Sequence, residues 1–394
     1  MTGRTPFSPR RMFTILGGLC TLCCLAGLLA FPSQSASSVR DGIKICLDVI
    51  VPCLFPFFVL SSLLVEMGCA TYFGLLLEPV MRPVFNLNGA CASAVAMGFL
   101  GGYPVGARTA ISLYRKGLCT REEAERMLSF CNNSGPAFVL GVVGVGIFSS
   151  NRAGILLFLA HTAASLTVGF LFRFYKRGSR PMDRGSRLPI PENISFSKAF
   201  IDSVSSSVRS MLGICAFVVF FTVAIKMLFL CGFISAMSEV LCFFLSPFGL
   251  TAESAGHLLT GLIELTSGLW GLRGSSSTLT AQLSMAAFML GWAGLSVHCQ
   301  VLSFIEQSGL KSRTYMIGKT LHALISSLYV WLMAGVWGLE EPAAETMAEQ
   351  IKALVRMDFA NILGISLTVA LIGWIFFVGL AWAAVSRRIR IRIV

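Results

Sequence analysis

Long uncharged, apolar stretches recur along the whole chain and dominate its pattern. Most of them approach or exceed the roughly 20 residues that a helix needs to cross the hydrocarbon core of a bilayer. Backbone polar groups in a bilayer must be paired internally, so such stretches predict transmembrane helices. The pattern therefore predicts an all-α polytopic membrane protein with about eight transmembrane helices. The clearest stretches cover residues 12–31, 45–65, 153–172, 211–225, 279–297, 320–339 and 359–385. The predicted spans are at about 12–31, 43–67 (broken by Pro52 and Pro56), 127–148, 153–173, 208–231, 279–305, 314–338 and 358–385. Thr120 and Glu123 predict a capped helix start before the third of these spans.

Two further apolar segments, 90–113 and 256–274, are interrupted by glycine, proline and polar residues. The first contains Gly-Gly-Tyr-Pro at 101–104, which breaks a helix because proline lacks an N–H and glycine adopts non-helical conformations readily. The second carries Glu264 in its middle. Both segments predict re-entrant hairpins. Arginines that follow the first place its ends on the cytoplasmic face, and the second enters from outside.

The segment 127–148 also reaches membrane-spanning length, but Asn-Asn-Ser-Gly-Pro at 132–136 interrupts it. Backbone that leaves a helix at membrane depth is tolerated where it is buried in protein or lines a wet cavity. Polar side chains at that depth indicate a functional site. The alternative is hydrogen bonding between helices combined with a proline kink. Five consecutive polar or helix-disturbing residues favour a solute site.

Composition and charge support a membrane protein and indicate its orientation. Hydrophobic residues make up 55% of the chain and charged residues 13%, with a mean hydropathy of +0.77. The net charge of +12 comes from arginines and lysines before the first span, after the last span and in the loop 174–205. Basic loops stay cytoplasmic, so both termini and this loop are predicted inside, and the acidic segment 340–349 outside. The charge is thus explained by topology, without a nucleic-acid partner.

The order of segments predicts an inverted repeat. An N-terminal anchor helix (1–39), retained rather than cleaved as a signal peptide, precedes the first repeat (40–173). The basic loop (174–205) and a second, inverted repeat (206–339) follow. An acidic outer loop, the last span and a basic tail make up 340–394. Sequence identity between the halves is weak, so the prediction rests on segment order and charge polarity.

Paired interrupted segments from opposite faces are typical of transporters with a solute site at the bilayer midplane. The N-terminus of a broken helix carries the positive end of its dipole, which suits an anionic solute. The two asparagines offer donors and acceptors. Glu264 is a candidate for a coupling H⁺ or Na⁺ or for a donor group on the solute; a structural role is equally open. The candidate solute-binding residues are Gly101, Gly102, Tyr103, Pro104, Asn132, Asn133, Ser134, Gly135, Glu264, Thr266, Ser267 and Ser296.

Catalysis and metal binding are not expected. The 13 cysteines lie mostly in or beside apolar runs, where cysteine behaves as a small hydrophobe. The four histidines lack the spacing of metal ligands, and His298, together with Gln300, is expected to pack against or cross-link helices. No paired-carboxylate or H-E-x-x-H motif is present. We therefore expect neither a cofactor nor an enzyme.

Three motifs carry a resemblance to a known family. Residues 98–107 (GFLGGYPVGA), 122–136 (EEAERMLSFCNNSGP) and 291–301 (GWAGLSVHCQV) resemble the sporulation integral membrane proteins of the YlbJ type, also called SpoVV. The resemblance extends over about residues 40–335. These proteins belong to the nucleoside-recognition or GATE-domain group, which includes concentrative nucleoside transporters. The resemblance implies movement of dipicolinate from the mother cell towards the forespore, across the outer forespore membrane.

One departure from the group bears on the solute. The resemblance implies a carboxylate in each hairpin of the nucleoside transporters, whereas here Gly101 lies where the first would be and only Glu264 is present. This difference is compatible with an acidic solute. Two alternatives stay open: transport of a nucleoside or nucleobase-like solute, and a sporulation membrane scaffold that transports nothing. The oligomeric state is not indicated by the sequence.

Overall fold

The computed structural model describes residues 9–67, 77, 79–176, 178, 195–246 and 251–337. Every regular element in these ranges is helical, as the apolar pattern predicts. The predicted last span at 358–385 and the acidic segment at 340–349 lie outside the described residues.

The N-terminal part consists of three helices, α1 (Pro9–Ala30), α2 (Pro32–Ile45) and α3 (Val51–Glu66). The chain bends by 103° between the first two. The sequence places the second span at 43–67, but the helix already begins at Pro32, whose fixed φ suits a first helical position. The expected breaks at Pro52 and Pro56 are absent. Instead, a widened π-helical turn at Cys46–Ile50 precedes Pro52, and the helix continues through Pro56.

The first half continues with the predicted hairpin, formed by α4 (Ala92–Leu100) and α5 (Val105–Arg115). Helix α6 (Arg121–Leu128) follows, and its Thr120 and Glu123 form the predicted capping box. The predicted single span at 127–148 is divided: α6 ends, residues 129–136 are non-helical, and a π-helical segment runs from Ala137 to Ile147. Helix α7 (Asn151–Phe172) then closes this half.

The second half repeats this order of elements. It begins with α8 (Phe196–Leu230), twelve residues earlier than the predicted span at 208, and α9 (Phe233–Leu245). The second hairpin consists of α10 (Ala252–Ile263) and α11 (Leu265–Gly271). A broken helix follows as α12 (Leu279–Trp292) and α13 (Gly294–Ser308), and α14 (Arg313–Trp337) is the last described element.

Length and apolar composition identify four described helices that could cross a membrane. They are Asn151–Phe172, Phe196–Leu230, Leu279–Ser308 and Arg313–Ala334, and the bent pair Gly17–Ala30 with Pro32–Asp48 is a fifth candidate. The hairpins and the divided segment 121–147 are too short or too interrupted to pass the same test.

The two halves contribute jointly to two hydrophobic cores around the breaks. Helix α12 packs along α14, and α14 also packs against α7. The first hairpin lies directly on the non-helical segment 129–136. A Cβ atom added at Gly98 or Gly106 would lie 1.7 or 1.8 Å from the carbonyl oxygen of Cys131, so only glycine permits this approach.

Candidate functional site

At the first break, residues 129–136, side chains pair several of the backbone polar groups. The carbonyl of Phe130 accepts from the Asn133 amide (Nδ2, 2.9 Å) and from the Ser165 hydroxyl (2.7 Å). The N–H of Ser134 donates to His161 Nε2 at 3.1 Å. Buried backbone groups need such partners when helical hydrogen bonds are lost. The unwound geometry expected from the Asn-Asn-Ser-Gly-Pro motif is therefore present.

Lys319 completes this pairing and was missed by the sequence analysis. Its Nζ donates to the carbonyl of Asn132 at 3.1 Å and lies 5.0 Å from the ring centroid of Tyr103. Lys319 is only 1% exposed. In the described part of the chain no carboxylate pairs with it, because the ion pairs there join Arg121, Lys176 and His257 to glutamates. A lysine inside a membrane helix is itself a signal for function.

The tip of the first hairpin reaches across to the second half. The Tyr103 hydroxyl donates to the carbonyl of Leu290, one turn before the break in α12–α13. Gly102 adopts φ +70° and lies against the backbone of Gly135. One residue of the hairpin thus contacts both breaks, since the Tyr103 ring also faces Lys319.

The second hairpin has a different local chemistry. The two carboxylate oxygens of Glu264 accept from the N–H groups of Thr266 (3.0 Å) and Ser267 (2.6 Å), which makes Glu264 the N-cap of α11. Trp292 Nε1 donates to the carbonyl of Leu262 at 3.2 Å. An anionic solute was expected to bind the N-terminus of this helix. The Glu264 carboxylate, 2% exposed, already occupies that N-terminus.

The break between α12 and α13 lies at Ala293, which adopts φ +84°. Gly294 follows at φ +80°, and a Cβ there would come within 2.9 Å of the Leu265 nitrogen. The sequence analysis treated residues 279–305 as one continuous span, so this second break is a correction. Each hairpin tip therefore packs on a broken helix of its own half.

A cavity lies where the two hairpins and the two broken helices meet. Its opposite wall is apolar and comes from the α2–α3 region and α8, through Ile50, Leu54, Phe58, Ile214, Phe217 and Val218. Gln300, which the sequence analysis assigned to helix packing, also lines it. Four of the predicted site residues do not line it: Pro104, Asn132, Asn133 and Ser267. The other eight do: Gly101, Gly102, Tyr103, Ser134, Gly135, Glu264, Thr266 and Ser296.

Asn132 and Asn133 lie beside this cavity, because their neighbour Ser134 lines it. Both are buried, and both side-chain atoms of Asn132 lack a hydrogen-bond partner among the described residues, as does Asn133 Oδ1. A buried amide without partners is costly to a folded protein. These atoms are the unpaired polar groups that a solute or water could satisfy.

Three of the four histidines converge on the same region. The rings of His161 and His322 lie 4.3 Å apart, and His322 Nε2 is 2.9 Å from the His161 carbonyl. Since Ser134 N–H donates to His161 Nε2, neutral His161 carries its proton on Nδ1. His298 Nδ1 bonds the Tyr315 hydroxyl at 2.8 Å and links α13 to α14, as predicted. No group of histidines, cysteines and carboxylates suited to a metal occurs among the described residues.

The helix that leads into the first break is anchored in its last turn, next to the break. Arg126, 1% exposed, donates to the carbonyls of Asn86, Tyr175 and Lys176. Burial alone would raise the pKa of Glu125, but hydrogen bonds from Tyr175, Arg121 and Lys176 hold that pKa below its ordinary value. This anchoring fixes the position from which the chain unwinds.

The fold and the site together define a class of protein, an α-helical membrane protein in which two hairpins pack on two broken helices around a buried polar centre. Solved structures of CNTnw share this fold. In an inward-facing substrate-bound state CNTnw gives a TM-score of 0.55 at 13% identity, covering 82% of this chain and 85% of CNTnw. A variant in an outward-facing state gives 0.56 at 13% identity, covering 84% and 86%.

Sequence comparison is more specific. Residues 47–175 match the family model "Gate: Nucleoside recognition". The sporulation integral membrane protein YlbJ of Bacillus subtilis (strain 168) is 30% identical over 324 residues, which cover 78% of this chain and 79% of YlbJ. The chain belongs to this family of sporulation integral membrane proteins, and it is a multi-pass membrane protein.

Proposed function

We propose that the chain is a transporter that moves a small organic anion, dipicolinate, from the mother cell towards the forespore. The observation that carries the proposal is Lys319, a buried lysine at the first break that pairs with no described carboxylate. A buried charge is tolerated when it is paired, and an anionic solute supplies the pair.

The surroundings of Lys319 fit this role. The Tyr103 ring faces the ammonium on one side and lines the cavity on the other. A carboxylate that enters the cavity therefore needs only a displacement of this ring to reach the cation. The ammonium has three donors, and one is bonded to Asn132, so two are available to a carboxylate.

The remaining polar groups suit a flat ring that bears carboxylates. The free amide of Asn132 offers two N–H donors to a ring nitrogen or a carboxylate, and the Ser267 hydroxyl is likewise unpaired among the described residues. The apolar wall of Phe58 and Phe217 offers a surface for a ring face. The identity of the anion as dipicolinate rests on the family resemblance, and its charge rests on Lys319.

The proposal includes a coupling ion, H⁺ or Na⁺, and a location in the outer forespore membrane with both termini in the cytoplasm. Glu264 is the carboxylate nearest to the solute because it lines the cavity. Its cap hydrogen bonds stabilise the ionised form, which suits a nearby cation as much as a structural role.

A nucleoside is the second candidate, favoured by the fold of CNTnw and the match to the nucleoside-recognition family. Asparagine and serine side chains could bind a base or a ribose. A neutral nucleoside, however, leaves the Lys319 charge unbalanced. The two candidates therefore differ in how strongly they depend on this lysine.

Uptake into liposomes that contain the purified full chain tests the proposal. We expect saturable uptake of radiolabelled dipicolinate and none of uridine. Lys319→Met should reduce the apparent affinity about tenfold or more, since a hydrogen bond to a charged group contributes about 1.5–3 kcal/mol. Lys311→Met, at an exposed lysine before α14, is the matched control. Uptake of uridine alone would support the second candidate, and uptake of neither would support a non-transporting scaffold.

A further inference from the structure

The three successive carbonyls at the first break have distinct partners. The Phe130 carbonyl accepts from an amide and a hydroxyl. The Cys131 carbonyl packs closely against Gly98 and Gly106. The Asn132 carbonyl alone receives a charged donor, Lys319 Nζ. In transporters with broken helices, unwound carbonyls of this kind bind the coupling cation.

The equivalent position in the second half shows that a charge is not needed merely to pair the carbonyl. Residues 130–136 align with 288–294, so Asn132 corresponds to Leu290. The Leu290 carbonyl receives the neutral hydroxyl of Tyr103. A neutral donor therefore suffices at one break, and the charge at the other must have a further consequence.

The other groups around Lys319 are those of a cation site. The Tyr103 ring presents its face to the ammonium, a geometry that stabilises cations. The side-chain oxygens of Asn132 and Asn133 belong to the same segment and have no donors among the described residues. Within the described ranges, the titratable side chains that interact with Lys319 are Cys131, His161, His298 and His322, and none is a carboxylate.

We propose that the Lys319 ammonium is a tethered cation that takes the place of a free coupling cation at the first break. The site then neither binds nor requires Na⁺, because its cation is covalently part of α14 and cannot dissociate. The proposal further takes the coupling ion, acting elsewhere, to be H⁺, so that the protein as a whole needs no Na⁺. This inference rests on the proposed function only where solute flux is measured.

The direct test is cation binding by the purified full chain in detergent. The unfolding temperature is measured in NaCl and in choline chloride at equal ionic strength. We expect no saturable effect of Na⁺ on the parent, because a bound ligand would raise the midpoint in proportion to its occupancy. Lys319→Ser, which vacates the site, should gain a saturable stabilisation by Na⁺. Lys311→Ser should behave as the parent.

Flux in liposomes gives the second readout. Parent uptake of dipicolinate should be equal with Na⁺ or choline outside, whereas Lys319→Ser should regain uptake only with Na⁺. Saturable stabilisation of the parent by Na⁺, parent flux that needs Na⁺, or a folded Lys319→Ser protein without any Na⁺ response would each overturn the inference. If Lys319→Ser does not fold, the parent measurements decide alone. Absence of flux for every solute defeats the proposed function, while the binding test still decides the tethered cation.

Discussion

The Tyr103 hydroxyl donates to the main-chain carbonyl of Leu290, and this bond joins the first hairpin to the broken helix of the second half. The two residues are 187 positions apart in the chain. The bond pairs a carbonyl that lies next to the break at Ala293. The tip of the first hairpin thus supports both breaks, one through its hydroxyl and one through its ring.

Tyr103→Phe separates these two roles. We expect it to destabilise the protein by about 1–3 kcal/mol, because the buried Leu290 carbonyl loses its donor. The ring over Lys319 remains, so dipicolinate affinity should change little in the fraction that stays folded. Chemical unfolding in detergent and uptake kinetics measure the two effects. Tyr114→Phe, at a half-buried tyrosine outside the cavity, is the control; a loss of affinity without a loss of stability would contradict this assignment.

Asn132 and Asn133 should respond differently to substitution by alanine. The Asn132 side chain has no partner among the described residues, so Asn132→Ala should leave stability nearly unchanged and weaken solute binding by about tenfold or more. Asn133→Ala removes the donor to Phe130 and should also lower stability. Membrane protein levels and uptake affinity distinguish them. Normal uptake by Asn132→Ala would indicate that its amide does not contact the solute.

Glu264 caps α11, and its removal should be measurable as lost stability. Glu264→Ala should cost about 0.5–2 kcal/mol, the usual range for an N-cap. Glu264→Gln keeps shape and one acceptor, and we expect it to abolish gradient-driven accumulation while solute exchange persists. The readout is accumulation against exchange in liposomes over pH 6–8. Accumulation like that of the parent would show that the cap is the whole role of this carboxylate.

Topology can be tested by cysteine labelling in a cysteine-free background. Single cysteines in the basic loop at 176–187 should react only from the cytoplasmic side, and those at 340–349 only from outside. The expectation follows from the distribution of basic residues. Reactivity from the wrong side at either position would invalidate the predicted inverted repeat.

The sequence was sufficient for the hairpins and the first break, because glycine, proline and adjacent amides interrupt otherwise apolar runs. It was not sufficient for the break at Ala293. Alanine is a strong helix former, so its φ of +84° is not signalled by the residue itself, and the next residue, Gly294, packs against the second hairpin. The continuous helix through Pro56 was missed because a proline inside an apolar run is expected to break or kink a helix.

Lys319 escaped notice for a different reason. The uncharged stretch in this region starts at residue 320, so the lysine was not examined for function although it lies inside the span predicted at about 314–338. In the structure it lies six residues inside α14 and faces the core. Hydropathy averaged over a window does not distinguish a lysine that reaches the membrane surface from one that is enclosed by protein.

The glycines that contact the first break form a sequence pattern whose positions are far apart in the chain. Gly318 of α14 packs against the same non-helical segment, 129–136, that Gly98 and Gly106 contact. A Cβ at Gly318 would come within 2.2 Å of the Ser129 carbonyl oxygen. The three positions span more than half of the chain. Distant relatives could therefore be recognised by these glycines even where the amides and the lysine have been replaced, and such replacements would point to a changed solute within an unchanged scaffold.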